Sequence, residues 1–406
     1  MRILILSQYY DPEPIPKPAE LAEELVRRGH VVSVLTGLPN YPTGRLFAGY
    51  SLGSHKRETI RGVPVLRVFE IPYHSGSFVG RFVNYGSFML AASAAAPAIP
   101  RPDVVYAWHP PLTVGVAAWA LRAFKGCPFV YDVQDVWPDE AIFAGAMREG
   151  LVAKALRVLE TAVYRRASHI VVATRGARNN LLAKGVPEAK VSVVPNWIFG
   201  DGLLVPVLAD VENARALLAS NGAFTVTFAG NTGVVQGLET LLEVARLLLP
   251  RPDIAFRVVG DGSDLPRLRN LAEKLELTNL RFLGRRPASQ MPAILAASDA
   301  LLVLLRSGPL TDLALPTKTL AYLASARPVL VAAGGAAEEL VRECDAGVSV
   351  PAGDPQALAA AVRRLAGMSP EERELMGRRG REWVALRFTR EQLVDRLETL
   401  LINAAS

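Results

Sequence analysis

The strongest constraint on the fold is an alternation. Short runs rich in Val, Ile and Leu take turns with amphipathic stretches of helical length. The run RILILS at residues 2–7 shows no apolar–polar alternation, which predicts a parallel strand covered on both faces. Residues 17–28 place Leu21 and Leu25 one turn apart and stop at Gly29, which predicts a helix. Residues 31–36 predict the next strand, completing a βαβ unit with short turns. Further strands are predicted at 63–69, 103–107, 128–132, 168–174 and 191–195.

Residues 196–205 (NWIFGDGLLV) carry glycines and a turn signal and read as a linker. The alternation then restarts, with strands predicted at 224–229, 254–259, 280–284, 300–305, 329–333 and 347–350. Helices are expected at 237–249, from Pro316, and at 354–366, 371–386 and 390–402. A chain of 406 residues exceeds one core. Two α/β domains are therefore expected, at 1–196 and 197–386, followed by a terminal helical segment at 387–406. Open sheets of this kind bind ligands at the carboxyl ends of their strands, so the expected site is the cleft between the two sheets.

Composition narrows the partners. Half the residues are hydrophobic, which excludes disorder, and the net charge of +6 favours anionic partners. No nucleic-acid motif or aromatic-interleaved basic cluster is present, so nucleic acid is not expected. Two cysteines, Cys127 and Cys344, make no disulfide scaffold and suit a reducing cytoplasm. The five histidines lack zinc-like spacing, and no metal is expected. The start MRILIL runs directly into a strand without the layout of a cleavable signal. The longest apolar stretch, 86–99, is too short to span a bilayer. Residues 79–99 read either as a core helix or as one that touches a membrane near Arg81.

The stretch 311–339, TDLALPTKTLAYLASARPVLVAAGGAAEE, organises the second half. Pro316 suits a helix start because its missing N–H is one that has no partner there. Thr317 and Lys318 follow, and a cation beside a helix N-terminus predicts a bound anion, most often phosphate. Gly334 and Gly335 allow turns that other residues resist. Glu338 falls in the next helix's first turn, where the macrodipole favours a carboxylate. Gly230, Asn231 and Gly233 follow a strand and let backbone amides approach a phosphate, with the Gly262 turn beside them. In the first half, His109 follows a strand and precedes Pro110 and Pro111. Asp132, Asp135 and Asp139 resemble a metal cluster, but only Asp135 reads as an acceptor-side group.

Taken in order, these motifs resemble glycosyltransferase family 4, the retaining GT-B enzymes, and within it the fucosamine-transferase-like branch of surface-polysaccharide biosynthesis. The residues that carry the resemblance in the first half are YYDPEPIPKPAELAEEL at 9–25, RRGHVVSVLTGLPNYPTG at 27–44, WHPPLT at 108–113 and YDVQDVWPDE at 131–140. In the second half they are VVPNW at 193–197, FAGNTGVVQGLETLLEVARLL at 228–248, VVGDG at 258–262, LRFLGRRP at 280–287, LPTKTLAYLASARPVL at 315–330 and VPAGD at 350–354.

The resemblance implies two Rossmann-like parallel-sheet domains facing a cleft, with the C-terminal helix returning to the first. It implies transfer of a sugar from a nucleotide diphosphate, without a metal cofactor. Gly284 and Arg285 are then expected by the nucleobase, and Pro316, Thr317 and Lys318 by the diphosphate. Gly230, Asn231, Gly233, Gln236, Gly262 and Gly335 complete the donor-binding set. His109, Lys318 and Glu338 are the expected catalytic groups, and Asp135 and Trp137 lie on the acceptor side. A polyprenyl-diphosphate-linked sugar at the cytoplasmic membrane face is the expected acceptor.

Three departures from the family pattern stand out. Asn231 and Gln236 occupy places where many members carry Arg and Lys. Leu313 and Ala321 hold the spacing of the family's paired glutamates. Pro14, Ile15, Pro16 and Lys17 replace a glycine loop, with Lys17 either a substitute cation or solvated surface. Two other readings stay open, a nucleotide-sugar 2-epimerase on the same fold and a non-catalytic subunit of a polysaccharide assembly complex.

Overall fold

Parallel strands with helical crossovers build both halves of the chain. The computed structural model describes residues 1–406 apart from 54–55, 75–77, 144, 146, 200–205, 220–221, 309–312 and 314. Part of the expected linker, residues 200–205, and residues 311, 312 and 314 of the organising stretch lie outside the described residues. The chain divides into two compact units: Met1–Phe199 with Arg390–Ser406, and Gly200–Thr389.

The first unit contains β1 (Arg2–Ser7), β2 (Val31–Thr36), β3 (Lys56–Ile60), β4 (Val63–Arg67), β5 (Val104–Trp108), β6 (Phe129–Val133), β7 (His169–Val172) and β8 (Val191–Val193). They form one sheet in the order β3-β4-β2-β1-β5-β6-β7-β8. Every pair is parallel except β3 with β4. The expected strand at 63–69 stops at Arg67, and its hairpin partner β3 is an addition to the strands predicted. The β3 sequence, KRETI, is charged and never fully buried, so it carries no core signature; charge on an edge strand also blocks pairing with other chains. By contrast β5 and β6 are buried along their whole length, as a central parallel strand must be.

The second unit contains β9 (Phe224–Ala229), β10 (Ile254–Val259), β11 (Leu280–Gly284), β12 (Ala300–Leu304), β13 (Val329–Ala332) and β14 (Gly347–Val350). Their order is β11-β10-β9-β12-β13-β14, with all pairs parallel. Both sheets are therefore the α/β layers that the alternation predicted, in the Rossmann-like form that the resemblance implied. Val226 and Phe228 of β9 and Phe256 and Val258 of β10 share one core with Leu241, Leu242 and Ala245 of the helix Glu239–Leu247. Each large apolar side chain buried there contributes about 1.5–3 kcal/mol.

The helix Phe78–Ala95 has two characters. Phe88, Ala92 and Ala95 are buried in the first unit's core, while Val79, Val83 and Leu90 stand exposed. Among the described residues no helix is long and apolar enough to cross a membrane. The last helix, Arg390–Ala405, belongs to the first unit, as expected. It buries Leu393, Val394, Leu397 and Leu401, and Glu398 binds Arg28 at 2.7 Å and His30 at 2.7 Å.

One position in the second sheet tolerates nothing larger than glycine. Gly347 opens β14 opposite Val329, and a Cβ there would lie 1.8 Å from the Val329 carbonyl oxygen. Gly347→Ala should destabilise the second unit by about 1–3 kcal/mol through overpacking, read as a lower urea midpoint for its transition. An unchanged midpoint would contradict this close approach.

Candidate functional site

In the second unit the candidate residues gather at the carboxyl ends of the strands. β9 runs into Gly230 (φ +150°) and β10 into Gly260 (φ +142°). These glycines are required by contact as well as conformation, since a Cβ on Gly260 would sit 1.8 Å from the Gly230 carbonyl oxygen. Gly262 is equally constrained: its Cβ would lie 2.4 Å from Asn231 Oδ1 and 2.8 Å from the Thr232 backbone. The two glycine turns therefore lean on each other, tied by the Thr232 amide donating to the Asp261 carbonyl at 3.0 Å.

The helix Thr317–Ala324 begins after Pro316, its N-cap, and buries Leu320, Leu323 and Ala324. Tyr322 fixes it to the sheet: its hydroxyl donates to the Ala229 carbonyl at 2.7 Å and accepts from the Ala229 amide at 2.8 Å. One turn earlier, Lys318 reaches the Gly230 loop. Its ammonium lies 4.1 Å from the Phe228 ring centroid, 3.5 Å from where a Gly230 Cβ would be, and donates to Gln236 Oε1. Among the described residues no carboxylate pairs with Lys318. Although the side chain keeps some surface, its ammonium is enclosed by the ring, loop and amide, and this desolvation lowers its pKa to about 7.

The other donor-side candidates are looser. Gly233 precedes the short turn that contains Gln236. Gly284 ends β11 with φ +70°, and Arg285 beside it is exposed. Gly335, with φ +64°, caps the helix Ala336–Glu343, placing Glu338 in its first turn; Glu338 lies 3.9 Å from Arg342. One cation escapes the sequence reading. Arg306 follows β12, its amide donates to the Val235 carbonyl at 2.9 Å, and its guanidinium lies 3.7 Å from Glu239. No motif marks it; the pairing of β12 beside β9 brings it to the Gly230–Gly237 loop.

In the first unit β5 ends at Trp108, and His109 is only 1% exposed. The Asp135 amide donates to His109 Nδ1 at 3.4 Å, which assigns the imidazole proton to Nε2. Burial lowers the His109 pKa to about 3, so the ring is neutral. His109 and Asp135 are thus brought together. Asp132 and Asp139, the other members of the apparent acidic cluster, are occupied. Asp132 pairs with Lys17 at 2.8 Å and accepts from Tyr106 and Gln134. Asp139 binds Arg157 at 2.8 Å and Lys184 at 3.0 Å. No group of three metal-ligating side chains is placed to hold an ion among the described residues.

Lys17 corrects the sequence reading. It is neither a substitute cation in the loop nor solvated, because it is 1% exposed and held by buried Asp132. Pro16 opens its helix, and the buried side chain ends 5.5 Å from the Trp197 ring centroid. Asp135, among the described residues, is claimed by no cation. Burial raises its pKa, and burial together with the Asp135 charge raises that of Glu140, so this neighbourhood retains a proton that free carboxylates would release. Glu140 also accepts from the Val136 amide at 3.1 Å.

Around Trp137, an expected acceptor-side residue, the structure adds aromatic neighbours that the sequence reading did not name. Trp137 packs edge-on to Tyr85 at 6.2 Å, and Tyr41 lies 5.2 Å from Tyr9 and 4.6 Å from His74. Tyr9, Tyr41, His74 and Tyr85 come from separate strand-end loops and one helix, so no local pattern announces them.

Comparison with known proteins adds the ancestry. Residues 17–197 match the family described as Glycosyl transferase 4-like domain, and residues 210–383 match Glycosyl transferases group 1. The chain is 28% identical over 380 residues to the Escherichia coli (strain K12) protein named "Putative colanic acid biosynthesis glycosyl transferase WcaI", covering 90% of this chain and 92% of that one. In structure it resembles HepE of Anabaena, solved with UDP-glucose, at TM-score 0.74 and 18% identity over 99% of this chain and 100% of that one. Sucrose-phosphate synthase of Thermosynechococcus elongatus gives TM-score 0.76 and 19% identity over 100% of both chains. These likenesses show that both sheets belong to the GT-B fold.

Two outcomes follow from the first unit. Lys17→Met strands the Asp132 charge in the core, so the unit's transition should lose about 3–5 kcal/mol in urea unfolding; a loss below about 1 kcal/mol, the range of exposed pairs, would contradict the buried pairing. The His109 ring should stay neutral down to about pH 5, because burial holds its pKa far below the ordinary value near 6.5. Its Cε1–H resonance should not move between about pH 8 and pH 5, whereas a titration midpoint near the ordinary value would contradict the placement.

Proposed function

The chain belongs to the glycosyltransferases that join a glycosyl transferase 4-like domain to a glycosyl transferases group 1 domain, and on that premise we propose how its residues divide the work. It is an enzyme that transfers a glycosyl group. The donor is a nucleoside diphosphate sugar, held at the strand ends of the second unit. The observation that carries this reading is the Lys318 ammonium, poised on the Gly230 loop at a helix N-terminus with only the neutral Gln236 as its hydrogen-bond acceptor among the described residues. The complexes of HepE with UDP and UDP-glucose support the donor class.

Transfer breaks the bond between the anomeric carbon and the diphosphate oxygen. The acceptor hydroxyl forms its bond on the same face, giving retention, and its proton passes to the departing diphosphate. Negative charge grows on the leaving group, so Lys318 and the amides at the start of its helix stabilise the transition state more than the ground state. Gln236 holds the ammonium in place until the phosphate arrives. Arg306 adds positive potential on the same loop, where the family's Arg and Lys are replaced by Asn231 and Gln236. His109, with its proton on Nε2, acts as a neutral hydrogen-bond donor to the sugar. Glu338 in its helical first turn and Gly335 before it complete the donor contacts, and Gly284 and Arg285 face the base.

The first unit takes the acceptor. Tyr9, Tyr41, Tyr85 and Trp137 offer aromatic faces for a sugar ring, and Asp135 offers an acceptor-side carboxylate. The exposed Val79, Val83 and Leu90, with Arg81 on the same helix, fit contact with a membrane surface. A polyprenyl-diphosphate-linked sugar on the cytoplasmic membrane face is the acceptor this arrangement favours. Surface-polysaccharide assembly by the fucosamine-transferase-like branch is the setting, in keeping with the name of the Escherichia coli relative.

Lys318→Ala should lower turnover by roughly 10²–10³-fold, as loss of a charge-stabilising group does, while the far-UV circular dichroism spectrum stays as in wild type. Turnover within a few-fold of wild type would overturn the assignment. A second signature needs no acceptor. With its pKa at about 7, Lys318 is mostly neutral at about pH 8 in the free enzyme, and a bound diphosphate raises its pKa. UDP binding at about pH 8 should take up about one proton, measured by calorimetry in buffers of different ionisation enthalpy. No uptake, or equal uptake by Lys318→Ala, would contradict the contact.

A further inference from the structure

The first unit carries a second concentration of positive charge, far from His109. At the amino ends of β6, β7 and β8 a cavity of about 630 Å³ is lined by Arg122, Arg165, Arg166, Ser168 and Lys190, among others. Arg122 lies in the last turn of the helix Leu112–Lys125, and Arg165 and Arg166 end the helix Leu151–Arg166. Lys190 directly precedes β8. In parallel strands this edge is opposite the one that bears His109 and Asp135. A five-residue strand such as β6 separates the two edges by roughly 15 Å.

Cations in the last turn of a helix are favoured by its dipole, and that alone would account for one or two of them. Here they are held in place and left without a counter-charge. Arg122 donates from one nitrogen to the Arg166 carbonyl and to Ser168 Oγ, both at 3.0 Å. Lys190 donates to the Arg165 carbonyl at 2.8 Å. The Arg166 guanidinium lies 5.1 Å from the Trp119 ring centroid. All of these partners are neutral, and among the described residues none of the four cations pairs with a carboxylate. Partial burial, and then the Arg122 charge, lower the Lys190 pKa, as expected for like charges kept close.

We propose that this cavity is a second anion site, separate from the donor and acceptor residues, and that it takes a ligand bearing two or more phosphate charges. Guanidinium groups bind phosphate through paired hydrogen bonds, and among the described residues Arg122 donates only from Nη1 and Arg166 meets only the Trp119 ring. Because three of the four side chains are already held, little further conformational entropy is lost on binding. The chemistry is common to a soluble diphosphate and to an anionic lipid headgroup.

The test compares the wild type with three variants of the full chain. Arg165→Glu reverses charge at an exposed lining residue; Arg57→Glu makes the same change in net charge on β3, at the other edge of the sheet; Lys318→Ala silences the proposed donor site. Inorganic pyrophosphate binding is measured by calorimetry, and partition onto phosphatidylcholine vesicles is measured with and without phosphatidylglycerol. In Lys318→Ala, where the proposed donor site is silent, a pyrophosphate isotherm should survive; added to that background, Arg57→Glu should leave it unchanged and Arg165→Glu should weaken it roughly tenfold, the fold-change expected for losing one charge-assisted contact. Loss of vesicle partition in Arg165→Glu alone assigns headgroups to the site as well; loss confined to pyrophosphate assigns soluble phosphates. Equal behaviour of Arg165→Glu and Arg57→Glu in both arms overturns the proposal, and does so whether or not Lys318 binds the donor. Unchanged thermal melting of the unliganded Arg165→Glu protein excludes misfolding as the cause.

Discussion

The candidate site of the second unit depends on one side chain that carries no charge. Tyr322 is buried at the end of β9, where its hydroxyl completes both backbone hydrogen bonds of Ala229. That pair of bonds sets the helix Thr317–Ala324 against the point where β9 gives way to Gly230. The register of a helix then does the rest, since Lys318 lies one turn from Tyr322 on the same side. The ammonium arrives at the Gly230 loop because the tyrosine is anchored, and it stays enclosed because Phe228 and Gln236 are already there. A cation in such a place is poorly solvated and lacks an anionic partner among the described residues. Binding an anion relieves both conditions, which is the physical basis for reading this spot as a phosphate site.

The first unit is arranged on the opposite principle. Its charged groups near the strand ends neutralise one another and serve as scaffold. Lys17 and Asp132 form a buried pair, and Gln134 carries the network on to Asn196 at 2.9 Å. The Trp197 indole N–H donates to Glu20 at 2.6 Å on the helix that bears Lys17. The residues that end the first sheet are thereby locked to its first helix. The Asp132 carbonyl also accepts from the His109 amide at 2.9 Å, so the same network holds the neutral imidazole in position. What remains available for chemistry is the neutral His109, Asp135 without a cationic partner among the described residues, and a set of aromatic faces.

Much of this is legible in the sequence, and what is not has identifiable reasons. Strands such as β9 and β10 announce themselves because residues buried on both faces must be apolar. The edge strand β3 does not, since KRETI suits solvent and refuses partners. Lys318 is legible because its signal is local: proline, then a cation, at the first turn of an apolar-faced helix. Lys17 is misread because nothing in PIPK tells whether a lysine faces water or a buried aspartate 115 positions later. Arg306 and the Tyr9, Tyr41 and Tyr85 faces are hidden for the same reason, as their grouping exists only once strand order is known. The acidic run around residues 132–139 shows the complementary case. The sequence sets Asp135 apart from its two neighbours without a physical reason, and the structure shows that Asp132 and Asp139 are held by cations.

The central claim is that an anchored, enclosed lysine receives the diphosphate of the donor. A crystal structure of the protein with UDP tests it most directly. Phosphate oxygens should lie within hydrogen-bond distance of Lys318 Nζ and of the amides that begin its helix, with the lysine drawn away from Gln236. A diphosphate bound elsewhere, with Lys318 still donating to Gln236, would contradict it.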